Sequence, residues 1–277
     1  MRSQGTRLAA GARHSVFARA DGSVVAAGNS RSAECEVGSW TGVIAVAAGA
    51  VHLATNTGRS HTVGLRADGT VLATGWNRDG QCHVDHWRGI TAISAGWRRT
   101  LGLCSDGTVL AAGRADEGAC AVEKWRDIVA VSCGDWHSVA LRADGRAQAV
   151  GNNRRGQCEI EGWHCLTSIA AGHLLTAGLT RAGRVLVAGA VSPETRDTIG
   201  RWRSVAAIEA GSQHTVALHA SGRVSAAGDN RHGQCEVSDW DGVVGVAAGA
   251  AHTLGLRADG SLLSAGHPGD GRRDLPR

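Results

Sequence analysis

Tyrosine is absent and phenylalanine occurs once, so nine tryptophans supply nearly all of the aromatic surface. No apolar run approaches the roughly 18 residues of a membrane span, and no hydrophobic signal segment follows Met1. The net charge of +4 is small for a protein that binds nucleic acid over its whole surface, and there is no basic tail. We therefore expect a cytoplasmic protein that does not bind membranes, and nucleic-acid binding through a ring of arginines is only a weaker third hypothesis.

The sequence also lacks the usual marks of a metal or cofactor site. It contains eight cysteines but no Cys-x-x-Cys pair. It has no nucleophile elbow, phosphate-binding loop or dinucleotide fingerprint. Free cysteine usually behaves as a small buried hydrophobic residue, so we expect no metal and no cofactor. Five cysteines share one repeat position: Cys35, Cys82, Cys120, Cys158 and Cys235.

Glycine is abundant, at 40 of 277 residues, and it recurs at regular positions. Seven copies of one unit follow each other, 38 or 39 residues apart except for 47 residues between the second and the third. Most copies continue with histidine and then serine or threonine, an Asp-Gly turn, a Gln-Cys segment and a closing tryptophan. The opening glycines are Gly11, Gly49, Gly96, Gly134, Gly172, Gly211 and Gly249.

The unit predicts a small antiparallel sheet. Asp-Gly between alternating apolar runs, as at Asp68-Gly69, is a strong hairpin signal in which both turn residues adopt positive φ. The two strands of this hairpin, the run before the opening glycine and the Gln-Cys-x-Val run together make four strands per copy. No apolar stripe is long enough to indicate a helix. Seven such copies predict one all-β domain over residues 1–277, a closed seven-bladed β-propeller of four-stranded blades. A β-helix is the alternative. The repeats begin near residues 1, 41, 88, 126, 164, 203 and 241.

The motif Gly-x-x-His-Thr/Ser, Asp-Gly, Gly-Asn and Gly-Gln resembles the repeat of the regulator of chromosome condensation family, from Leu8 to about Gly271. The resemblance implies a seven-bladed propeller closed by pairing of strands from the two chain ends. The chain departs from the family where Ala27-Gly28 replaces the usual Trp-Gly. The family includes a nucleotide-exchange factor for a small GTPase that binds nucleosomes, and proteins that only bind others. Nothing here matches a distinctive exchange motif, so the fold alone does not select a function.

Copies that break the pattern are the candidate functional sites. A nine-residue insertion, Val51 to Arg59, lengthens one loop of the second copy, either as a binding loop or as a tolerated surface insertion. Bulky residues also follow three consecutive opening glycines, where tryptophan and arginine predict an interface hot spot. The alternative is that the tryptophans cap gaps between blades. The candidates are Trp97, Arg98, Arg99, Asp135, Trp136 and His173.

An arginine stands four residues before the repeat cysteine in four copies, at Arg31, Arg78, Arg154 and Arg231. The third copy has Asp116-Glu117 nearby instead. Equivalent loops emerge on one face of a propeller, so we expect a basic face with one acidic notch. Such a face speeds encounter with an acidic partner; a solvated face without a partner is the alternative.

The repeated histidines are better explained by structure than by catalysis, because a buried imidazole can bond groups of the next blade. Glu209 differs, since other copies have alanine or serine at its position. On the inner strand it would be a hydrated channel carboxylate or, with His173 or Asp135, a general base. We therefore expect a non-enzymatic module that binds an unidentified protein through loops on one face. The alternative is a small-molecule enzyme or binder using Glu209 in the central channel.

Overall fold

The computed structural model describes residues 6–49 and 59–275. These residues form seven three-stranded antiparallel sheets, one per sequence repeat, in which strands consecutive in the chain are neighbours. The strands are β1 (Leu8–Ala10), β2 (His14–Ala18), β3 (Val24–Gly28), β4 (Val43–Ala48), β5 (His61–Arg66), β6 (Val71–Gly75), β7 (Ile90–Gly96), β8 (Arg99–Cys104), β9 (Val109–Gly113), β10 (Ile128–Cys133), β11 (His137–Arg142), β12 (Ala147–Gly151), β13 (Leu166–Ala171), β14 (Leu175–Thr180), β15 (Val185–Gly189), β16 (Val205–Ala210), β17 (His214–His219), β18 (Val224–Gly228), β19 (Val243–Ala248), β20 (His252–Arg257) and β21 (Leu262–Gly266).

The prediction of four strands per sheet is wrong, because the Gln-Cys segment folds into turns. In the second copy, backbone bonds from Val84 N–H to Cys82 O and from Trp87 N–H to Val84 O leave no ladder for a fourth strand. The five repeat thiols are half-buried rather than buried, and each Sγ lies 3.1–3.6 Å from the carbonyl oxygen six residues earlier. Burial raises the pKa of these thiols, to about 12 at Cys82, so they stay protonated and donate to those carbonyls.

The hairpin turns also differ from the prediction, since only the glycine of each Asp-Gly pair has a positive φ. In the first sheet, Gly22 N–H donates to Arg19 O and Arg19 N–H donates to Ser23 O, which makes a longer loop than a two-residue turn. The Asp21 carboxylate accepts bonds from the backbone and hydroxyl of Ser23, and these bonds lower its pKa. The aspartate therefore stabilises the loop through its side chain rather than through its own φ.

The opening glycines lie where neighbouring sheets approach most closely. A Cβ added to Gly134 would overlap the carbonyl oxygen of Gly172, and one added to Gly172 would overlap that of Gly211. The same holds from Gly96 to Gly134 and from Gly211 to the seventh copy. None of the opening glycines has a positive φ. Glycine is therefore required there by backbone-to-backbone contact rather than by a special turn conformation.

Buried histidines join neighbouring sheets, which confirms their predicted structural role. Each Nε2 lies 2.8–2.9 Å from a serine or threonine hydroxyl of the next copy, and that hydroxyl donates to a backbone carbonyl 2.6–2.8 Å away. Because the hydroxyl proton is already used, the imidazole donates its Nε2–H. Burial lowers the pKa of His14 and His137 to about 3 and that of His61 and His214 to about 4. The five residues are His14, His61, His137, His214 and His252.

The fifth copy interrupts this network. Leu175 stands in the histidine position, and the loop after β15 forms the helix α1 (Pro193–Gly200). Among the described residues, the buried Thr215 hydroxyl consequently has no hydrogen-bond partner. The sequence signal for α1 is Ser192-Pro193-Glu194, because Ser192 Oγ accepts from Thr195 N–H as an N-cap and proline suits the first turn. Within residues 6–49 and 59–275, no helix is long and apolar enough to cross a membrane.

The last sheet contacts the first. Leu8 and Ala10 share an apolar cluster with Ala247 and Leu254, and Ala250 N–H donates to Gly11 O at 3.2 Å. The C-terminal segment supplies side-chain and carbonyl contacts instead of the strand implied by the family resemblance. The buried Arg272 donates to Ala12 O at 3.0 Å, and its own carbonyl accepts from Ser15 Oγ at 2.6 Å.

The hydrophobic core is divided among the gaps between sheets. In the gap between the first two sheets, Trp40 clusters with Val16, Val43 and Val46. A Cβ on Gly64 of β5 would overlap the Trp40 ring, so the middle strand of the next sheet has no side chain where the closing tryptophan lies. The same fit recurs at Gly102, Gly178 and Gly255. Each copy therefore completes its core only against its neighbour.

Two threonines at the same repeat position allow a matched test of the hydrogen-bond network. Thr176→Val removes the partner of His137 Nε2 and of the Gln157 carbonyl. This change should lower the free energy of unfolding by about 1–3 kcal/mol, because buried polar groups are left unsatisfied. Thr215→Val removes a hydroxyl that bonds to no described residue, so it should change stability by less than about 0.5 kcal/mol or increase it. Urea unfolding of both variants measures the difference, and equal losses would contradict the network.

The histidines also predict how stability depends on pH. Their folded pKa values lie far below the ordinary histidine value of 6.5, so the unfolded chain binds protons that the folded protein does not. The contribution of the histidines to stability should be fully present above about pH 6.5 and should be lost as the pH drops, each histidine contributing up to about 1.4 kcal/mol per pH unit. Urea unfolding between pH 7 and pH 5 measures this slope. The variant His214→Gln should reduce the slope of the unfolding free energy against pH by the contribution of one histidine. An unchanged slope would contradict the conclusion that His214 is buried in its neutral form.

Candidate functional site

The loops that carry most of the candidate residues lie at one end of the sheets, which we call the opening end. An inner loop follows the first strand of each sheet, and an outer loop follows the third strand. The two loops meet because Asn152 N–H donates to Trp136 O and Arg114 N–H donates to Arg98 O. The candidate tryptophans and the candidate arginines therefore share one end of the molecule.

Side chains within the outer loops hold the predicted arginines in place. In the fourth copy, Asn152 Oδ1 accepts from Arg154 N–H at 2.9 Å, and the buried Gln157 accepts from Arg155 N–H at 3.0 Å. Asn153 Oδ1 accepts from Cys158 N–H at 2.8 Å. Equivalent bonds recur in the second and sixth copies. The backbone of these loops is thus fixed, while the guanidinium groups of Arg31, Arg78, Arg154 and Arg231 belong to exposed residues.

Carboxylates neutralise only some of the arginines at this end. Arg231 Nε lies 2.8 Å from Asp229 Oδ1, and the hydrogen bonds and charge of Asp229 raise the pKa of Arg231. In the third copy Arg114 lies 2.7 Å from Glu117 and 3.1 Å from Asp116. Within the described residues no ion pair involves the arginines at positions 31, 78 and 154. The basic character of the opening end therefore comes mainly from the first, second and fourth copies.

The inner loops bring Trp97 and Trp136 together in a cluster. Their ring centroids are 4.4 Å apart in an edge-on arrangement, and Trp97 also packs against Ala12 of the first copy. Trp97 is 7% exposed and Trp136 is half-buried. The Arg98 guanidinium lies 4.5 Å from the Trp97 ring, and that of Arg114 lies 5.2 Å from Trp97 and 5.7 Å from Trp136. The tryptophans thus form a buried base under half-buried guanidinium groups.

Arg99, the first residue of β8, and Asp135, in the inner loop of the fourth copy, are both buried. Arg99 is 1% exposed, and it donates to Ser138 Oγ at 3.1 Å, to Gly134 O at 2.6 Å and to His137 O at 2.9 Å. It therefore takes the place of the repeat histidine in the third copy. Asp135 is also 1% exposed, and its Oδ2 lies 2.7 Å from Nδ1 of His173. Neither Arg99 nor Asp135 offers its side chain to a partner directly.

The insertion of the second copy lies almost entirely outside the described residues, which resume at Arg59. The Arg59 guanidinium lies 4.2 Å from the Trp76 ring of the adjacent outer loop.

Glu209 lies on β16 and lines a cavity of about 170 Å³. The first strand of every sheet contributes to the lining, which confirms that the small residues before the opening glycines lie on an inner strand. Among the described residues that line this cavity, Glu209 is the one charged side chain, and burial raises its pKa to about 7. The Glu209 residue is half-buried among the inner strands. Near neutral pH the carboxyl can therefore take up or release a proton.

Arg114 was missed by the sequence analysis although it completes the tryptophan cluster. The available signal is its position directly after the glycine that ends β9, where the first and fourth copies have asparagine and the sixth has aspartate. His267 was also missed, and its ring lies 4.8 Å from that of His232 at the opening end. Comparing all copies at every loop position would have found both residues.

The comparisons with known proteins agree with this geometry. The family model of the regulator of chromosome condensation (RCC1) repeat matches residues 43–81, 90–119, 128–157, 205–234 and 243–272, more than half of the chain. No curated protein matches the sequence. Among solved structures, the CRINKLY WD40 ectodomain of the Arabidopsis thaliana receptor kinase ACR4 is similar at a TM-score of 0.72 and 17% identity, over 98% of this chain and 97% of that one.

Two further structures are similar at 17% identity. Human WBSCR16 has a TM-score of 0.70 over 94% of this chain and 86% of its own. Prp20p from Saccharomyces cerevisiae has a TM-score of 0.63 over 81% and 72%. The seven sheets are accordingly the blades of a β-propeller. The chain belongs to the RCC1 repeat family.

The raised pKa of Glu209 predicts a pH-dependent gain in stability for Glu209→Gln. The ionised carboxylate is unfavourable in the cavity, so the contribution of Glu209 to wild-type stability should fall as the pH rises from about 4.5 to about 7 and then level off. At about 1.4 kcal/mol per pKa unit, the variant should be more stable than wild type by roughly 3 kcal/mol at pH 8 and by less than about 1 kcal/mol at pH 5. Urea unfolding at both pH values measures this, with the exposed Glu161→Gln as control. An equal effect at both pH values would contradict the assignment.

Proposed function

We propose that this protein is a rigid interaction module, a closed ring of seven blades whose opening end binds an acidic protein partner. One observation carries the proposal: exposed arginines from separate copies lie at the same end as the tryptophan cluster. Arginine and tryptophan are the side chains most enriched at interface hot spots. The contacts between the first and last sheets support closure of the ring.

The outer loops suit this function because their conformation is fixed before binding. The asparagine and glutamine bonds hold the backbone at Arg78 and Arg154, so a partner would order only the ends of the arginine side chains. Ordering one long side chain costs about 0.5–1.5 kcal/mol, and a fixed backbone avoids the larger cost of ordering a loop. Affinity can then come from a small number of charged contacts.

The candidate residues divide into contact residues and supporting residues. Arg31, Arg78 and Arg154 are the proposed primary contacts, because they are exposed and form no ion pair with the described residues. Trp136 and Arg98 provide a half-buried surface beside them. The supporting set holds these residues in position and consists of Trp97, Arg99, Asp135 and His173, while Arg231 is a secondary contact shared with Asp229.

The acidic notch at Asp116 restricts which charge pattern on a partner can match the opening end. Asp116 is exposed and lies beside Arg114 in the third copy, between the basic loops of the second and fourth copies. A partner with a basic side chain inside an acidic surface would match this pattern, whereas a uniformly acidic polymer would meet like charge at the notch. This pattern favours a folded protein partner over nucleic acid.

The relatives support binding in general. The Prp20p structure is described together with binding properties towards Gsp1p and histones. We further propose that the protein acts as a monomeric scaffold in the cytoplasm. Its eight cysteines are all free, which fits a reducing compartment.

A small-molecule role in the central cavity is the second candidate, since Glu209 has a pKa near 7 there. The cavity of about 170 Å³ is smaller than the roughly 300–1,000 Å³ of typical ligand sites. The opening end therefore supports the function better.

A triple charge reversal tests the proposal. Replacing Arg31, Arg78 and Arg154 by Glu should abolish partner recovery in affinity capture from cells of the source organism, because the basic side of the interface changes sign. The same reversal at Arg66, Arg142 and Arg257, which end the second strands at the opposite end of the sheets, should leave recovery unchanged. Quantitative mass spectrometry compares the two variants with wild type. Equal recovery with all three proteins would reject the opening end as the interface.

A further inference from the structure

A pocket of about 400 Å³ lies between the fifth and sixth sheets at the opening end. Its volume falls within the roughly 300–1,000 Å³ of small-ligand sites. The inner loops contribute His173, Leu174 and Gln213 to its wall, and the start of α1 contributes Glu194 and Thr195. It is therefore separate from the central cavity, and the tryptophan cluster does not line it.

The pocket exists because the fifth copy replaces the usual outer loop by α1. In the fourth copy, the loop places the Gln157 carbonyl oxygen 2.7 Å from the Thr176 hydroxyl. In the fifth copy the aligned segment is helical, and no carbonyl reaches the corresponding hydroxyl of Thr215 among the described residues. In the other gaps between sheets, a backbone amide of the outer loop lies beside this hydroxyl. In the gap between the fifth and sixth sheets, α1 replaces that loop and leaves the position empty of backbone from the described part of the chain.

Thr215 is one of the residues that line this pocket, and its hydroxyl is buried in the wall. Its equivalents each donate to a carbonyl and accept from a histidine or arginine of the preceding copy. Leu175 stands where that histidine would be, so both the donor and the acceptor of Thr215 lack a partner in the described chain. A buried polar group is unfavourable when it is left unsatisfied, and a bound ligand can supply the missing partner.

The lining defines the class of ligand. Leu174, Leu175 and Val191 form apolar wall, and the carboxylates of Glu194 and Asp229 disfavour an anion. An amide group is neutral, its carbonyl can accept from Thr215 Oγ–H, and its N–H can donate to a neighbouring acceptor. We propose that this gap is a binding site for an amide group, supplied by a free carboxamide or by a peptide segment that occupies the place of the missing loop.

The protein's own fourth copy provides the probe. The peptide acetyl-Arg-Gly-Gln-amide reproduces Arg155 to Gln157, and free glutamine provides the small-carboxamide arm. Titration of each probe into the full-length protein, followed by isothermal calorimetry and by ligand-observed NMR, measures binding. Thr215→Val should weaken binding at least about tenfold, the value of one good hydrogen bond, whereas Thr215→Ser keeps the hydroxyl and should retain it.

Each outcome of this experiment decides the proposal. Hydroxyl-dependent binding of the peptide alone supports a peptide segment as the natural occupant, and hydroxyl-dependent binding of glutamine as well supports a free carboxamide. Absence of binding by both probes, or equal binding by the valine variant, would overturn the proposal and leave a pocket that holds water. The triple arginine reversal should bind both probes normally, so this site and the proposed partner surface can fail independently.

Discussion

The contact between the backbones of neighbouring opening glycines is the constraint on which the architecture depends. Any side chain at Gly134 or Gly172 would overlap the next copy's carbonyl oxygen. Glycine therefore lets the inner strands converge until the central cavity is only about 170 Å³. The same convergence brings each imidazole within 2.9 Å of the next copy's hydroxyl, so one steric requirement also creates the polar network.

The network links neighbouring copies because each serine or threonine hydroxyl in it uses both its donor and its acceptor. The hydroxyl donates to a carbonyl of the outer loop and accepts from the imidazole, so a single serine or threonine joins three segments from two copies. Arg99 shows that the position tolerates a permanent charge when enough acceptors surround it, since three oxygens lie within 3.1 Å of its guanidinium nitrogens. Leu175 shows the opposite case, in which the polar partner is removed and a buried hydroxyl is left over.

Periodicity in the sequence was sufficient to predict the number of copies, the inner strand and the structural histidines, because these features depend on contacts that every copy repeats. It was insufficient for features that depend on the direction of one side chain. Trp97 lies in an inner loop and Arg99 begins β8, and both differ from the residues that most other copies have at these positions. A difference in residue type does not show whether the side chain points towards solvent. The Gln-Cys segment was predicted as a strand because apolar alternation over four residues is equally compatible with successive turns. The helix α1 carried a readable signal in Ser192-Pro193-Glu194, but eight residues are too few for a helical stripe.

Because Trp97 is buried, its role at the opening end is to support neighbouring side chains rather than to contact a partner. A tryptophan at 7% exposure contributes little contact area itself, but it fixes the plane on which Arg98 and Arg114 lie. Arg114 is further held by Glu117, so its charge is balanced inside the chain, whereas no ion pair within the described residues balances Arg78 or Arg154 on either side. A partner would therefore meet two unbalanced positive charges separated by an aromatic-backed ridge that carries the acidic notch at Asp116. This charge pattern would determine the orientation of the bound partner as well as attract it. A partner shifted by one blade would place its acidic groups against Asp116, where like charges repel.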